Sequence, residues 1–210
     1  MKLKVIDRLL SKQHTLVVFL GDSITEQNYH LRGRLNYVGQ LTERMMELSG
    51  RQSRVFNAGV SGDTTWGALG RLERDVLGLR PDLVFIMLGM NDAARGPEQV
   101  EQYKNNLREI IDRVRGIGGE AILLSQNILD FGMRADAIAA RTAYPSYTAA
   151  MKAVALERDA PLCDMYAKWT EYLHGDMNSH LMLMHDSIHP NEEGHNLFAK
   201  WLAEFLQLPQ

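Results

Sequence analysis

Short apolar runs alternate with amphipathic ones along most of this chain. Five runs read as strands: Leu16–Leu20 (LVVFL), Arg54–Asn57 (RVFN), Leu83–Leu88 (LVFIML), Ala121–Ser125 (AILLS) and Pro161–Asp164 (PLCD). Several are continuously apolar rather than alternating, which suits strands covered on both faces, as in a parallel sheet. Between them the apolar period lengthens to that of a helix. Val38, Leu41, Met45 and Leu48 share one face over Tyr37–Ser49, and Gly50 stops the run. A second helix is predicted over Thr64–Leu79 with Asp63 as its N-cap. A third runs from Pro97 to Gly116 on a stripe of Leu107, Ile110, Ile111 and Val114, and a fourth covers Tyr147–Arg158. The last spans Asn191–Leu206, where Leu197, Phe198, Trp201, Leu202 and Phe205 recur at helical spacing. Near the start, Val5, Ile6, Leu9 and Leu10 fall on one face, which predicts a helix packed on the body, with a membrane-surface anchor as the alternative.

Strand and helix in alternation predict an α/β fold with right-handed crossovers. Two long connections remain, Gln126–Ser146 and Met165–Ile188. Long loops in compact domains are often functional. Open α/β sheets bind ligands beyond the carboxyl ends of their strands, so the chemistry is sought there.

Composition narrows the function classes. The 210 residues suit one domain spanning 1–210. A formal net charge of -3 offers no basic face for nucleic acid. The one cysteine, Cys163, allows no internal disulfide and suits a reducing compartment, so a cytoplasmic location is expected. Asp7 and Arg8 interrupt the apolar start, which is not read as a secretory signal. No run approaches the ~20 apolar residues of a membrane span.

Four polar clusters follow the predicted strands or precede the last helix: Gly21-Asp22-Ser23, Asn57 to Asp63, Gly89-Met90-Asn91-Asp92 and Asp186-Ser187-Ile188-His189-Pro190. Each alone reads as a turn. Together they fill the roles of an acyl-transfer site. Ser23 is the candidate nucleophile and needs a base to remove its proton. His189 is the candidate base. Asp186 lies three residues before His189, within reach of its Nδ1–H in a tight turn, where it fixes the tautomer. Candidate oxyanion donors are the Ser23 N–H, the Gly59 N–H and the Asn91 side-chain amide.

These four clusters, in this order, resemble the conserved blocks of the SGNH/GDSL hydrolase family. Gly21-Asp22-Ser23-Ile24-Thr25 is similar to the first block, with Ile24 where leucine is common. The resemblance implies Ser23 as nucleophile, Gly59 and Asn91 in the oxyanion hole, and Asp186 and His189 as acid and base. It further implies a flavodoxin-like, three-layer α/β/α sandwich around a five-stranded parallel sheet, and hydrolysis of small-molecule esters without metal or cofactor. The α/β-hydrolase pattern Gly-x-Ser-x-Gly is not met, because Thr25 occupies its last position.

The expected reaction is hydrolysis of a small acyl ester, such as an acetyl ester of a sugar or glycoside, through an acyl-enzyme. Lysophospholipase, thioesterase or transacylase chemistry would use the same three residues. A ligand-binding module without turnover would have no need of them together. Asp22, Asp63 and Asp92 are read as acceptors in turns, with holding of the serine loop as the alternative. His174, His180, His185, His189 and His195 lie close in sequence to Asp176 and Asp186, but Pro190 separates His185 and His189 from the helix that follows, and no metal is assigned. His185 is the alternative base. Met182-Leu183-Met184 is either core or acyl-pocket lining, and Trp66, Phe131, Tyr144 and Tyr147 are candidate substrate contacts.

Overall fold

The computed structural model describes residues 3–26 and 29–209. Its five strands are β1 (Thr15–Gly21), β2 (Ser53–Gly59), β3 (Leu83–Met87), β4 (Glu120–Leu124) and β5 (Leu162–Cys163). All pairings are parallel and the strand order is β2-β1-β3-β4-β5. The predicted strands therefore all form, within about two residues of their expected ends. The order reverses between β1 and β3, and such a switch point opens a crevice at the carboxyl edge. Every residue of β3 is buried, as its unbroken apolar run requires.

The longer helices are α1 (Lys4–Leu10), α3 (Tyr37–Leu48), α4 (Thr65–Asp75), α6 (Val100–Gly116), α8 (Tyr144–Glu157), α9 (Met165–Leu173) and α11 (Glu192–Phe205). Short ones are α2 (Ser23–Glu26), α5 (Met90–Ala93), α7 (Asp136–Ala139) and α10 (Met177–Met182). Helices α1, α3, α9 and α11 form one group of contacts, and α4, α6 and α8 another. The architecture is thus an α/β fold built on a five-stranded parallel sheet. Among the described residues, no helix is long and apolar enough to cross a membrane.

Several expectations need adjustment. Asp63 does not cap α4: Thr64 does, accepting the Gly67 N–H at 3.3 Å, while Asp63 is taken by the Arg71 guanidinium at 2.7 Å. The predicted single helix over Thr64–Leu79 breaks at Val76 into α4 and a 3-10 turn, Leu77–Leu79. Helix α8 starts at Tyr144, three residues early, with Pro145 in its first turn, where no N–H is needed. The connection Met165–Ile188 contains α9 and α10 rather than loop alone. Helix α1 buries Val5, Ile6 and Leu9 but leaves Leu10 exposed. Its first N–H groups, which lack intrahelical partners, donate to the Glu120 carboxylate from Lys4 at 3.1 Å and Val5 at 2.9 Å.

Candidate active site

Strand β1 delivers Ser23 to the crevice. Gly21 ends the strand, and a Cβ there would lie 2.1 Å from Thr25 Oγ1, so only glycine lets α2 fold back this closely. The carbonyl of Asp22 accepts the N–H groups of Thr25 and Glu26, at 3.1 and 2.8 Å, and starts the helix. Ser23 sits at its first position. Its Oγ lies 2.8 Å from His189 Nε2.

His189 and Asp186 share one tight turn before α11. Asp186 Oδ1 accepts the backbone N–H of Ile188 at 2.8 Å and of His189 at 2.7 Å, while Oδ2 lies 2.9 Å from His189 Nδ1. The His185 N–H closes the turn on the His189 carbonyl at 2.8 Å. Asn191 fastens it from outside: its Nδ2 donates to Met182 O at 2.8 Å, and its Oδ1 caps α11 by accepting from Glu193 and Gly194. Partial burial pushes the Asp186 carboxyl up, but the hydrogen bonds from His189 and Ile188 outweigh it and hold it well below the usual carboxylate range.

Strand β3 delivers Asn91 on α5. Its Nδ2 donates to Asp63 O at 3.1 Å and Asp22 Oδ2 at 3.3 Å, and its Oδ1 accepts from Arg141 Nη2 at 2.8 Å. Asp22 is buried beneath Ser23, where it also accepts from Gln126 Nε2 at 2.8 Å and the Ile24 N–H at 3.0 Å. Burial raises its carboxyl to about 6, against the lowering effect of those hydrogen bonds. Asp92 accepts the Thr65 N–H and hydroxyl, pinning the start of α4. The three aspartates thus act as acceptors in the loops, as read from sequence.

Ser23, Glu26, His30, Ser61, Gly62, Asn91, Arg141, Ile188 and His189 line one cleft of about 540 Å³. Gly59 is not among them, which corrects its assignment as an oxyanion donor. Its N–H donates to Asn57 Oδ1 at 2.9 Å, and a Cβ on it would lie 2.2 Å from the Glu26 nitrogen. Gly59 is a packing glycine that lets β2 lie against α2. Gly62, three residues on, reaches the cleft in a left-handed turn at φ +76. Among the described residues, no acceptor takes the N–H of Ser23 or Gly62.

Sequence reasoning also missed Glu26, His30, Ser61 and Arg141. Glu26 accepts the N–H and hydroxyl of Ser61. His30 stacks on His189 with ring centroids 3.9 Å apart and planes 18° apart. Burial, then the charge of His189, lowers its pKa. No local sequence signal marks these residues.

None of Trp66, Phe131, Tyr144 and Tyr147 lines the cleft. Tyr144 and Tyr147 are core residues, and the exposed Trp66 and Phe131 lie outside the cleft lining. Leu183 and Met184 are buried while Met182 is exposed, and none of the three lines the cleft. The histidines disperse. His180 accepts from Trp169 Nε1 at 3.1 Å, and His195 from the Tyr37 N–H at 3.4 Å, both in the core. Among the described residues, one group has metal-ligand chemistry: donor atoms of His30, His185 and Asp186 lie within 4.8 Å of one another. Its carboxylate is already committed to His189 and two backbone N–H groups.

A serine hydroxyl on an imidazole, an imidazole on a carboxylate and two free backbone donors in one cleft can carry out acyl transfer. The comparison with known proteins agrees. Residues 19–197 match the model of the GDSL-like lipase/acylhydrolase family. The chain belongs to this family. Thioesterase 1/protease 1/lysophospholipase L1 of Escherichia coli K12 is 28% identical over 193 residues, covering 91% of this chain and 83% of that protein. An acetylxylan esterase of Geobacillus stearothermophilus is 27% identical over 204 residues, covering 88% and 90%. The crystal structure of the Geobacillus esterase Axe2 superposes with a TM-score of 0.75 at 25% identity, over 93% of this chain and 95% of that one. Family membership and these relatives together support a hydrolase of the esterase type.

Proposed function

We propose that residues 1–210 form one catalytic domain, a serine esterase acting on small acyl esters through Ser23, His189 and Asp186. The observation that carries this reading is the continuous hydrogen-bond chain from Ser23 Oγ through His189 to Asp186, at 2.8 and 2.9 Å, in a cleft with unengaged N–H groups.

Ser23 Oγ attacks the ester carbonyl while His189 Nε2 takes its proton. Asp186 stabilises the resulting imidazolium and keeps Nδ1 protonated throughout. The carbonyl oxygen, now negative, is received by the N–H groups of Ser23 and Gly62 and by Asn91 Nδ2. The 3.3 Å contact of that amide with Asp22 is the weaker of its two and the one an oxyanion displaces. His189 returns the proton to the leaving alcohol, giving an acyl-Ser23 ester. Water, deprotonated by His189, then releases the acid and restores the hydroxyl.

The lining favours a short acyl group and a polar alcohol. Ile188 is the one aliphatic side chain among the described lining residues, whereas a long acyl chain calls for an apolar wall. An acetylated sugar fits that chemistry, and the similarity to an acetylxylan esterase supports it.

A fluorophosphonate followed by peptide mass spectrometry tests the reading. An adduct on Ser23 that disappears in His189→Ala is expected. A folded protein that gains no adduct refutes it. Turnover of acetylated xylose should then exceed that of acyl thioesters and lysophospholipids in kcat/KM.

A further inference from the structure

Arg141 lines the cleft yet belongs to none of the strand-end clusters. It follows α7 in the turn leading to α8. Its guanidinium reaches back across the crevice, with Nη1 on the Ala137 carbonyl at 2.9 Å and Nη2 on Asn91 Oδ1 at 2.8 Å. Its Nε is buried without an acceptor, so the group is held in place by these two contacts. Such a fork is possible for arginine and not for the single point charge of lysine.

The Asn91 amide has two possible orientations differing by a half-turn. A guanidinium only donates, so it accepts only the oxygen end as a neighbour. On the far side stand acceptors, the Asp22 carboxylate and the Asp63 carbonyl, which accept only the nitrogen end. A flipped amide would face N–H against N–H at Arg141 and oxygen against carboxylate at Asp22. We propose that Arg141 is a positioning residue for catalysis: it locks the Asn91 amide so that donors, not the carbonyl oxygen, face the acyl oxyanion. This rests on the esterase reading above. Arg141 acts wholly through Asn91. It also draws electron density from the amide and so strengthens its N–H groups as donors.

The test is a double-mutant cycle on the full chain with p-nitrophenyl acetate, a neutral ester. Arg141→Met keeps the length of the side chain and removes its donors. It should lower kcat at least tenfold and change KM less than about threefold, since the interaction matters only in the transition state. Asn91→Ala should lose about 10²–10³ in kcat. The double variant should lose less than about twofold beyond Asn91→Ala alone. Losses that multiply overturn the proposal, as does an unchanged kcat in Arg141→Met. A KM effect confined to anionic esters also overturns it, because Arg141 would then contact substrate directly. Where Arg141→Met fails to fold, Arg141→Lys carries the same cycle, with a smaller kcat loss that must also vanish in the Asn91→Ala background.

A wild-type protein without turnover refutes the esterase reading and leaves a separate readout for this one. The side-chain NH2 signals of Asn91, assigned by their loss in Asn91→Ala, should shift and broaden in Arg141→Met. Signals that stay in place overturn the positioning claim on their own.

Discussion

Replacing Asp186 by asparagine should damage turnover more than replacing it by alanine. Oδ1 of Asp186 accepts two backbone N–H groups, Ile188 at 2.8 Å and His189 at 2.7 Å. An asparagine must keep its oxygen at that position. Its NH2 group then falls at the Oδ2 position, 2.9 Å from His189 Nδ1. A donor there competes with the longer 3.1 Å contact of Nδ1 to Oδ1 and favours Nδ1 as acceptor, which moves the ring proton to Nε2. Nε2 faces Ser23 Oγ at 2.8 Å and can no longer take its proton. A wrong tautomer in a comparable triad lowers kcat about 10⁴-fold, which is about 5.5 kcal/mol of barrier. Alanine removes the carboxylate but leaves the tautomer free. It forfeits the charged hydrogen bond to His189, about 1.5–3 kcal/mol or about 10- to 150-fold in rate, and it also frees the Ile188 and His189 N–H groups of this exposed turn, a loss read in the thermal midpoint. The assay is kcat/KM on p-nitrophenyl acetate near pH 7.5, with thermal midpoints to establish that both variants fold. An asparagine variant as active as the alanine variant, or more so, would refute the tautomer argument.

Gly59→Ala should lower the thermal midpoint by several degrees and slow fluorophosphonate labelling of Ser23, because its Cβ would collide with the backbone of α2 at Glu26. Gly62→Ala meets no neighbour within 4 Å and bears only the strain of φ +76, so its stability loss should be about 1 kcal/mol, read by urea denaturation. Burial drives the His195 imidazole down to about 3, so the folded state resists a proton that the unfolded chain accepts near 6.5. Stability from this neutral ring is present above pH 6.5 and lost as pH falls toward 3. Wild type should therefore lose up to about 1.4 kcal/mol per pH unit relative to His195→Gln between pH 6 and 4, measured by denaturant titration. Asp22, raised by burial to about 6, acts with the opposite sign: its contribution falls as pH rises from 4 through 6, and Asp22→Asn should gain on wild type across that range.

The five strands were legible because each is an apolar run with no competing periodicity. Residues Ser23, Asn91, Asp186 and His189 were legible because they flank strands or the last helix in a recognisable order. The structure adds what spacing does not encode. Gly59 and Gly62 are alike as residues, and only the tertiary path shows that Asn57 consumes the N–H of one while the other stays free. Asp63 and Thr64 can both cap a helix, and Arg71 settles the choice by claiming Asp63. Helix α9 was missed because Met165, Trp169 and Leu173 make only a one-residue-wide stripe, stabilised by packing on α11. Arg141 lies 50 residues from Asn91 in the chain, and no local pattern links them.

The turn that carries Asp186 and His189 has a mechanical consequence. The carboxylate grips the backbone of the same turn that bears the imidazole, so Asp186 and His189 form one piece of four residues. Ser23, held by β1 and α2, belongs to another. Alignment between the two depends on the seating of the turn, which Asn191 sets against α10 and α11 and Asn127 holds through the Ile188 carbonyl at 3.1 Å. A disturbance at Asn191 therefore opens the gap between serine and histidine while the histidine–aspartate bond survives intact. Loss of function by that route would leave the base correctly prepared and simply out of reach.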